Sequence, residues 1–320
     1  MGGRQRVGTE EDFGLVQGET FEPPAEPEAT FDLSCPHVMT VLGPVEPEAL
    51  GVTLHHEHVI CNPPTVAKHD ADTVLDDPHA SLAELEDFHA AGGGAVVDMS
   101  TADYGRDAVA LAWIAARAAT HVIAATGHHK HLHAAPYLGN TTIDEDAARG
   151  IKEVTVGIDQ TGVRAGVVKA GTSLNEITPV EQKALRAAAR VHLATGVPIS
   201  THCELGTMAL EQIEIFREEG VDPRRVILGH IDRNPDDGYV RQVLDTGAFV
   251  SFDQVGKAAY GPDEHRAALV KITFDAGHGD QVLVSQDLAR KSLLRAYGGG
   301  PGWVYMLERF TLLLMDVGLD

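Results

Sequence analysis

His121-Val-Ile-Ala-Ala-Thr-Gly127 is one of the apolar runs that decide the fold of this chain. Ala95-Val-Val97 and Val226-Ile-Leu228 repeat the pattern of consecutive apolar residues. Such runs are typical of strands that are covered on both faces, as in parallel sheets. The longer amphipathic segments between them predict helices that cover the sheet.

Strand-like runs and helical segments alternate along most of the chain. The predicted strands are 51–58, 95–100, 121–127, 165–169, 197–202, 225–230, 248–253 and 281–287, and the clearest predicted helices are 81–91, 107–118, 179–194, 208–219 and 264–276. Eight βα units in about 270 residues match a (β/α)8 TIM barrel, an α/β fold. A doubly wound sheet is the competing architecture, but the Gly-rich dinucleotide fingerprint that it predicts after the first strand is missing.

The composition supports one sizeable core. The chain has 320 residues, of which 43% are hydrophobic and 22% charged, close to the globular average. Residues 1–36 are polar, acidic and rich in Pro, which predicts a flexible acidic extension. We therefore expect a single barrel domain over 37–320, whose eighth helix lies in 303–318.

Charge and cysteine content exclude several classes of protein. Lys and Arg number 25 and Asp and Glu 47, a net charge of −22, which opposes binding to nucleic acid or to an anionic membrane. No apolar run approaches the ~20 residues of a membrane helix, and the N-terminus shows no secretory signal. The three cysteines are too few and too scattered for a disulfide framework. A cytoplasmic protein with a small-molecule ligand is expected.

Polar residues end several of the predicted strands, and the chemistry of a barrel lies at that end. His56 and His58 are two residues apart, so alternation places both on one face. His202, His230 and Asp287 end three other strands. Each alone is also explained as a loop cap or a helix N-cap. Together they supply nitrogen and oxygen ligands suited to zinc, manganese, cobalt or nickel.

Lys169 ends the run 165–169 and is expected to point into the same cavity. An ammonium group cannot bind a metal, and a cation beside two metal ions is strongly unfavourable. Two interpretations follow. Lys169 is either a partly buried lysine paired with an acid, or a neutral amine that reacts with CO2 to give a carbamate that bridges two metals.

The ordered set of these strand-end residues resembles the phosphotriesterase-related family of the amidohydrolase superfamily, which includes phosphotriesterase-like lactonases. The resemblance extends from about Val38 to Asp320. It is carried by the Asp287 strand and by four further motifs, Gly51-Val-Thr-Leu-His-His-Glu-His58, Gly166-Val-Val-Lys-Ala-Gly171, Thr201-His-Cys-Glu204 and Gly229-His-Ile-Asp-Arg-Asn-Pro235.

The resemblance implies a binuclear metal-dependent hydrolase. It assigns a more buried ion to His56, His58 and Asp287, and a more exposed ion to His202 and His230. Lys169, carboxylated by CO2, would bridge the two ions, with zinc as the first choice and manganese, cobalt or nickel as alternatives. A hydroxide between the ions would be the nucleophile, since two cations lower the pKa of bound water.

The resemblance also gives Asp287 the role of accepting the hydroxide proton and passing it outward. Asp232 is a candidate for the next step of that relay, or else a residue that orients a metal-bound imidazole. Some phosphotriesterases complete the relay with a His where this chain has Gln254. A neutral amide cannot carry protons as an imidazole can, which argues against a true organophosphate hydrolase.

Three loops bear on the substrate. His128 or His129, in the predicted loop 127–133, could contact it. The glycine-rich segment 298–302 is either a phosphate site or a flexible turn before a helix. Lys257, Arg290 and Lys291 either bind an anionic group or form surface ion pairs. These features favour a lactonase acting on a sugar lactone, possibly phosphorylated.

Other interpretations keep the two metal ions but differ in the bond that is hydrolysed or in whether the protein is a catalyst. A phosphotriester hydrolase and an amidase of small N-acyl compounds would use the same centre, and a non-catalytic metal-binding barrel is the last alternative. Family members usually continue through a further helical stretch with an Asn-Pro motif, whereas this sequence ends at Asp320. We expect that difference to affect stability or the formation of a homodimer.

Overall fold

The computed structural model describes Asp32 and residues 35–319 of the chain. Most of the predicted extension, 1–36, lies outside the described residues, so the domain boundary at residue 37 stays a prediction. The described part begins with an antiparallel hairpin of β1 (Val38–Thr40) and β2 (Gly43–Val45).

Eight parallel strands follow, and they form one sheet in the order of the chain. They are β3 (Val52–Glu57), β4 (Gly93–Asp98), β5 (His121–Gly127), β6 (Ala165–Thr172), β7 (Ile199–Cys203), β8 (Val226–Leu228), β9 (Phe249–Phe252) and β10 (Val282–Val284). Each of the eight predicted strands contains or overlaps one of them. The predicted TIM barrel is confirmed.

The first and last barrel strands are joined by side-chain and backbone contacts near their carboxyl ends. The backbone N–H of His56 donates to Ser285 Oγ at 3.1 Å, and the N–H of Asp287 donates to the carbonyl oxygen of His56 at 3.0 Å. The buried carboxylate of Glu57 accepts from the N–H groups of Gln286, at 2.7 Å, and Leu288, at 2.9 Å. These bonds close the barrel and fix the segment that carries Asp287.

Nine α-helices are described. They are α1 (Pro78–Ala90), α2 (Ala108–Ala115), α3 (His131–Leu138), α4 (Ile143–Thr155), α5 (Pro179–Thr195), α6 (Ala209–Glu218), α7 (Asp237–Asp245), α8 (Asp263–Thr273) and α9 (Thr311–Asp316). The five predicted helices are confirmed to within a few residues. Large apolar side chains such as Phe88, Leu111 and Phe216 are buried in the hydrophobic core. Among the described helices, none combines the length and apolar character that a membrane crossing requires.

Two local predictions were wrong. The segment 127–133 is not a loop throughout, because α3 begins at His131, where the Glu181 carboxylate accepts the backbone N–H at 2.8 Å. The predicted helix 303–318 begins later, with a π-helical turn at Met306–Phe310 before α9.

The hydrogen bonds of the glycine-rich segment 298–302 decide between the two predictions for it, a phosphate site and a turn. The N–H groups of Gly299, Gly300 and Gly302 donate to the carbonyl oxygens of Leu294, Ser292 and Leu293, at 2.9, 3.1 and 2.9 Å. Amide groups already bonded to the chain are not available to a phosphate. The segment is a turn.

The hairpin of β1 and β2 covers the end of the barrel where the strands begin. The N–H of Val41 donates to the carbonyl oxygen of Val122, the second residue of β5, at 2.9 Å. The Met39 carbonyl oxygen lies 2.3 Å from where a Cβ on Gly166 would stand, so β6 needs glycine there. The carboxyl ends of the strands are at the opposite face, which we call the barrel mouth.

Candidate metal centre

The six predicted ligands come together at the barrel mouth. We call them the metal cluster: His56, His58, Lys169, His202, His230 and Asp287. They are carried by β3, β6 and β7 and by the segments that follow β3, β8 and β10. His56 and Lys169 are each 1% exposed, whereas the side chains of His202 and Asp287 are 13% and 17% exposed. The cluster is therefore buried on one side and open on the other.

The more buried half consists of His56, His58 and Asp287. Asp287 Oδ1 lies 3.7 Å from His56 Nε2 and 3.4 Å from His58 Nε2. One ligand atom from each of the three residues falls within 4.8 Å of the other two. The three side chains could hold one metal ion.

The more open half consists of His202 and His230. His230 Nε2 lies 2.8 Å from His202 Nδ1, so each ring turns one nitrogen toward the other. The rings of His56 and His230 are 5.0 Å apart between centroids, which places the two halves side by side. A second ion bound by His202 and His230 would therefore neighbour the first.

The ring nitrogens that face away from the cluster centre have polar partners. His58 Nδ1 is 2.8 Å from Ser100 Oγ, and His202 Nε2 is 2.8 Å from Glu204 Oε2. Glu204 is also paired with Lys130. A partner on one nitrogen fixes the orientation of the ring and leaves the other nitrogen to a metal.

Asp253 supplies the corresponding partner for the other two histidines. Its Oδ1 is 2.6 Å from His230 Nδ1, and its Oδ2 is 3.1 Å from His56 Nδ1. The sequence analysis missed this residue, although Asp253 ends the predicted strand 248–253 in the same way as the predicted ligands end theirs. That strand-end position was the available indication.

The donor set fits divalent metal ions. Within the described residues, neither buried ring nitrogen of His56 forms a hydrogen bond: Nδ1 has only the ion-pair contact with Asp253 Oδ2 at 3.1 Å, and Nε2 lies 3.7 Å from Asp287 Oδ1. Burial lowers the pKa of His56 and of His202 to about 3, so both imidazoles are neutral. Neutral imidazole and carboxylate are the forms that bind metals. A buried nitrogen without a partner is explained when a metal accepts its lone pair.

Lys169 is not paired with an acid in the part of the chain that the structure describes. Its Nζ donates to the carbonyl oxygen of Met99 at 3.1 Å, and burial lowers its pKa. A neutral amine is the form that reacts with CO2. The geometry thus removes the first interpretation of Lys169, a lysine held by a carboxylate, and is compatible with the second.

Two residues of the metal cluster have unusual backbone conformations. His230 has φ of 61° and Asp287 has φ of 51°, both in the left-handed region that non-glycine residues rarely adopt. The N–H of His230 is held by Asp253 at 3.1 Å, and that of Asp287 by the His56 carbonyl. Strain of this kind persists only where surrounding bonds enforce it, and it is concentrated at functional sites.

Asp232 and Gln254 lie on the His230 side of the cluster. Asp232 is buried and accepts from Arg266 Nε at 2.8 Å, and burial raises its pKa to about 6. Gln254 Nε2 donates to Asp287 Oδ2 at 3.0 Å. Gln254 thus contacts the predicted proton acceptor, whereas Asp232 is anchored by an arginine.

His128 and His129 point in different directions although they are adjacent. His128 is buried and faces Asp146, at 2.9 Å, and Asp103, at 3.4 Å. His129 faces the metal cluster, with its ring centroid 4.6 Å from that of His202. The preceding Gly127 makes the turn possible: it has φ of 90°, and a Cβ there would lie 2.1 Å from the Lys169 carbonyl oxygen.

Lys257 lies against the metal cluster, whereas Arg290 pairs with acids outside it. Lys257 Nζ lies 2.7 Å from Asp287 Oδ2, and Lys257 is 8% exposed. Arg290 has a side chain that is 43% exposed and forms ion pairs with Asp70, at 2.8 Å, and Asp72, at 3.4 Å. Only Lys257 directly touches the metal cluster.

Comparison with known proteins agrees with this geometry. The model of the phosphotriesterase family matches residues 36–319. The phosphotriesterase homology protein of Escherichia coli is 35% identical over 84% of this chain and 92% of its own length. A phospho-furanose lactonase of Mycoplasmopsis synoviae is 32% identical over 88% of this chain and 86% of its own length.

The fold of a relative agrees as well. The crystal structure of a lactonase from Listeria monocytogenes superposes with a TM-score of 0.86 at 37% identity, covering 89% of this chain and 94% of the other. The strands, the mouth and the family match thus lead to one assignment. The chain belongs to the phosphotriesterase family and is a metal-dependent hydrolase acting on esters.

Proposed function

We propose that the chain is a binuclear metal-dependent lactonase, and that its substrate is a sugar lactone bearing an anionic group such as phosphate. One observation carries the binuclear part: two groups of ligand nitrogens lie side by side. Asp287 Oδ1 lies within 3.7 Å of the inner nitrogens of His56 and His58, and those of His202 and His230 lie 2.8 Å apart, with the His56 and His230 rings 5.0 Å from each other. Zinc is the proposed metal, with manganese, cobalt and nickel as alternatives.

In this proposal, His56, His58 and Asp287 would hold the more buried ion, and His202 and His230 would hold the more open one. Lys169, as a carbamate, would supply an oxygen ligand to each. Its neutral amine adds to the carbon of CO2 and loses one proton, which gives an anion with two oxygen ligands. The burial of Lys169 without a pairing acid supports this assignment.

When bound, the two ions supply Lewis-acid activation of a water molecule and of the acyl oxygen of the substrate. Asp287 takes up the proton that the attacking water loses. The water oxygen bonds to the acyl carbon and the ring C–O bond breaks. The ring oxygen takes a proton from solvent and leaves as the hydroxyl of a hydroxy acid. Lys257, at 2.7 Å from Asp287 Oδ2, and Gln254, at 3.0 Å, hold the carboxylate in place.

Asp232 is the proposed outer proton acceptor. Its Oδ1 is buried and has no hydrogen-bond partner among the described residues, which leaves that oxygen able to take a proton. Arg266 holds the other oxygen at 2.8 Å.

Three cations lie on the loops after β8, β9 and β10, and we call them the cationic rim: Arg233, Lys257 and Arg290. The Arg233 guanidinium lies 3.8 Å from the ring centroid of Tyr260, and the Lys257 ammonium lies 5.7 Å from the same centroid. No acid is paired with Arg233 within the described residues. In a chain of net charge −22, these three cations on neighbouring loops, one of them in contact with Asp287, favour an anionic substrate group.

His129 is the proposed contact for an oxygen of the substrate. Its Nδ1 accepts the backbone N–H of Lys130 at 2.7 Å, so the ring proton of the neutral imidazole is on Nε2. Nε2 is then a hydrogen-bond donor. His128, held by Asp103 and Asp146, is assigned a structural role.

Two further facts favour a lactone over a phosphotriester. Gln254 occupies the position where a relay histidine was expected for organophosphate hydrolysis. Two of the similar proteins carry lactonase in their names, one of them a phospho-furanose lactonase. We also propose that the enzyme is cytoplasmic and forms a homodimer.

The proposal is tested with metal-reconstituted protein in bicarbonate, with proton release followed by a pH indicator. The panel contains sugar lactones with and without phosphate, an aryl ester and a phosphotriester. We expect fastest turnover of a phosphorylated lactone. Activity against the phosphotriester alone, or none against any compound with two metals bound, contradicts the proposal.

A further inference from the structure

We infer that Asp253, held in place by Ser251 and His55, couples the two halves of the metal cluster, so that a change that loosens Asp253 speeds the release of both ions. This inference rests on the proposed binuclear site. It concerns residues outside the predicted ligand set, and it assigns His55, the first of three histidines within four residues, a positioning role.

Asp253 is the only described carboxylate that contacts a ligand from each half. Its Oδ1 is 2.6 Å from His230 Nδ1 and its Oδ2 is 3.1 Å from His56 Nδ1. The residue is fully buried, with 0% exposure. A carboxylate shared in this way cannot shift without moving a ligand of both ions.

Ser251 holds Asp253 from inside the barrel. Ser251 Oγ donates to Asp253 Oδ2 at 2.7 Å, and His55 Nε2 lies 2.7 Å from Ser251 Oγ. Ser251 Oγ thus lies between the His55 ring and the Asp253 carboxylate. The chain of contacts runs from His55 through Ser251 to Asp253.

An irregularity in β3 brings His55 into this chain. The pairing of β3 with β4 shifts register between Leu54 and Glu57, as at a β-bulge. Strict alternation would put the neighbours His55 and His56 on opposite faces of the strand. Here His56 contacts Asp253, and His55 contacts Ser251, two residues earlier on β9.

Ser100 offers a matched comparison. Like Ser251 it is fully buried, and its Oγ lies 2.8 Å from a ligand ring nitrogen, His58 Nδ1. His58 belongs to the more buried half alone. Replacing either serine by alanine removes one oxygen atom, but only the Ser251 change reaches both halves.

The experiment uses full-length protein loaded with cobalt(II), whose absorption spectrum reports the ligand geometry. Release of both ions to excess chelator is followed by stopped flow for wild type, S251A and S100A. We expect S251A to release both ions about tenfold faster, as loss of an outer partner does. We expect S100A to speed release of one ion and to leave the other close to the wild-type rate.

Equal behaviour of the two alanine variants, or a change confined to one ion in S251A, overturns the coupling. S251T, which keeps the hydroxyl, should restore slow release, and a thermal melt identifies a variant that fails to fold. His55→Gln keeps an N–H donor and should resemble wild type, whereas His55→Leu should resemble S251A. A wild-type protein that binds no cobalt contradicts the proposed function, and the inference with it, whereas two bound ions with unchanged release contradict the coupling alone.

Discussion

The metal cluster and the cationic rim lie at the same barrel mouth but are built differently. In the cluster, the buried side chains come from strand ends, and fixed partners such as Asp253 and Ser100 hold the rings. In the rim, Arg290 comes from a loop, is 43% exposed on its side chain, and pairs with two acids that a substrate anion would have to compete with. The comparison indicates that the proposed metal centre is held rigidly by buried partners, whereas the exposed part of the proposed substrate-binding edge is free to change its partners.

Replacing Lys169 by alanine tests the rigid side and should give the largest effect. Loss of the proposed Lys169 carbamate is expected to lower kcat/KM for the best lactone by about three orders of magnitude or more. Metal content by elemental analysis should fall below two ions per chain. Lys183→Ala is the control, because Lys183 only donates to the carbonyl oxygens of Leu138 and Thr141. Full activity of K169A would show that Lys169 bridges nothing.

His128→Gln tests the buried ion pairs under the mouth. Burial disfavours a charged His128, but Asp103 and Asp146 outweigh it and raise its pKa to about 9. Because that pKa lies above the ordinary value of 6.5, the stabilisation is complete below pH 6.5 and is lost as the pH rises through 9. The wild-type advantage in free energy of unfolding should fall by at most about 3 kcal/mol between pH 6 and 9.5.

Urea unfolding of both proteins at the two pH values measures this difference. His192→Gln is the control, since the His192 ring bonds to a backbone carbonyl, that of Val197, at 2.7 Å. An advantage that is the same at both pH values contradicts a charged His128.

Lys257→Ala tests the one member of the rim that touches the cluster. Loss of a buried, charged hydrogen-bond donor should raise KM for a phosphorylated lactone by roughly 10- to 100-fold. The contact with Asp287 should also lower kcat, for neutral and anionic lactones alike. Steady-state kinetics on a matched lactone pair, with and without phosphate, separates the two effects. An unchanged KM for the phosphorylated lactone would remove Lys257 from the substrate site.

Arg290→Ala should give the smallest effect, about threefold on KM for the phosphorylated lactone. Its half-exposed guanidinium is already shared with Asp70 and Asp72, and exposed ion pairs contribute little. The neutral lactone should be unaffected, which serves as the internal control. A loss as large as that of K257A would mean that Arg290 leaves both acids to bind substrate.

Much of the metal cluster could be predicted from the sequence, because the features that identify its residues are local. Alternation along a strand and the position at a strand end located His56, His58 and the other predicted ligands. Asp253 was missed because its importance lies in contacts to residues from two other strands. The positioning role of His55 was not predicted either. The register shift in β3 interrupts the strict alternation of side chains on which the prediction relied.

The loops around the metal cluster, including the cationic rim, were harder to predict because the positions of their side chains depend on loop geometry. The amino-acid sequence does not indicate that the His128 side chain faces Asp103 while the His129 side chain faces His202. Gly127, with its positive φ, decides that difference. Likewise, the ion pairs between Arg290 and the acids at 70 and 72 join residues more than 200 positions apart.

The hairpin of β1 and β2 has a practical consequence for handling the enzyme. It covers the end of the barrel where the strands begin, through the bond of Val41 to the start of β5 and the close approach of Met39 to Gly166. The chain ahead of Val38 therefore joins the barrel on the face opposite the reaction centre. A bead or electrode coupled to the described residues just ahead of Val38 would leave the mouth facing solution, which suits an immobilised catalyst or sensor.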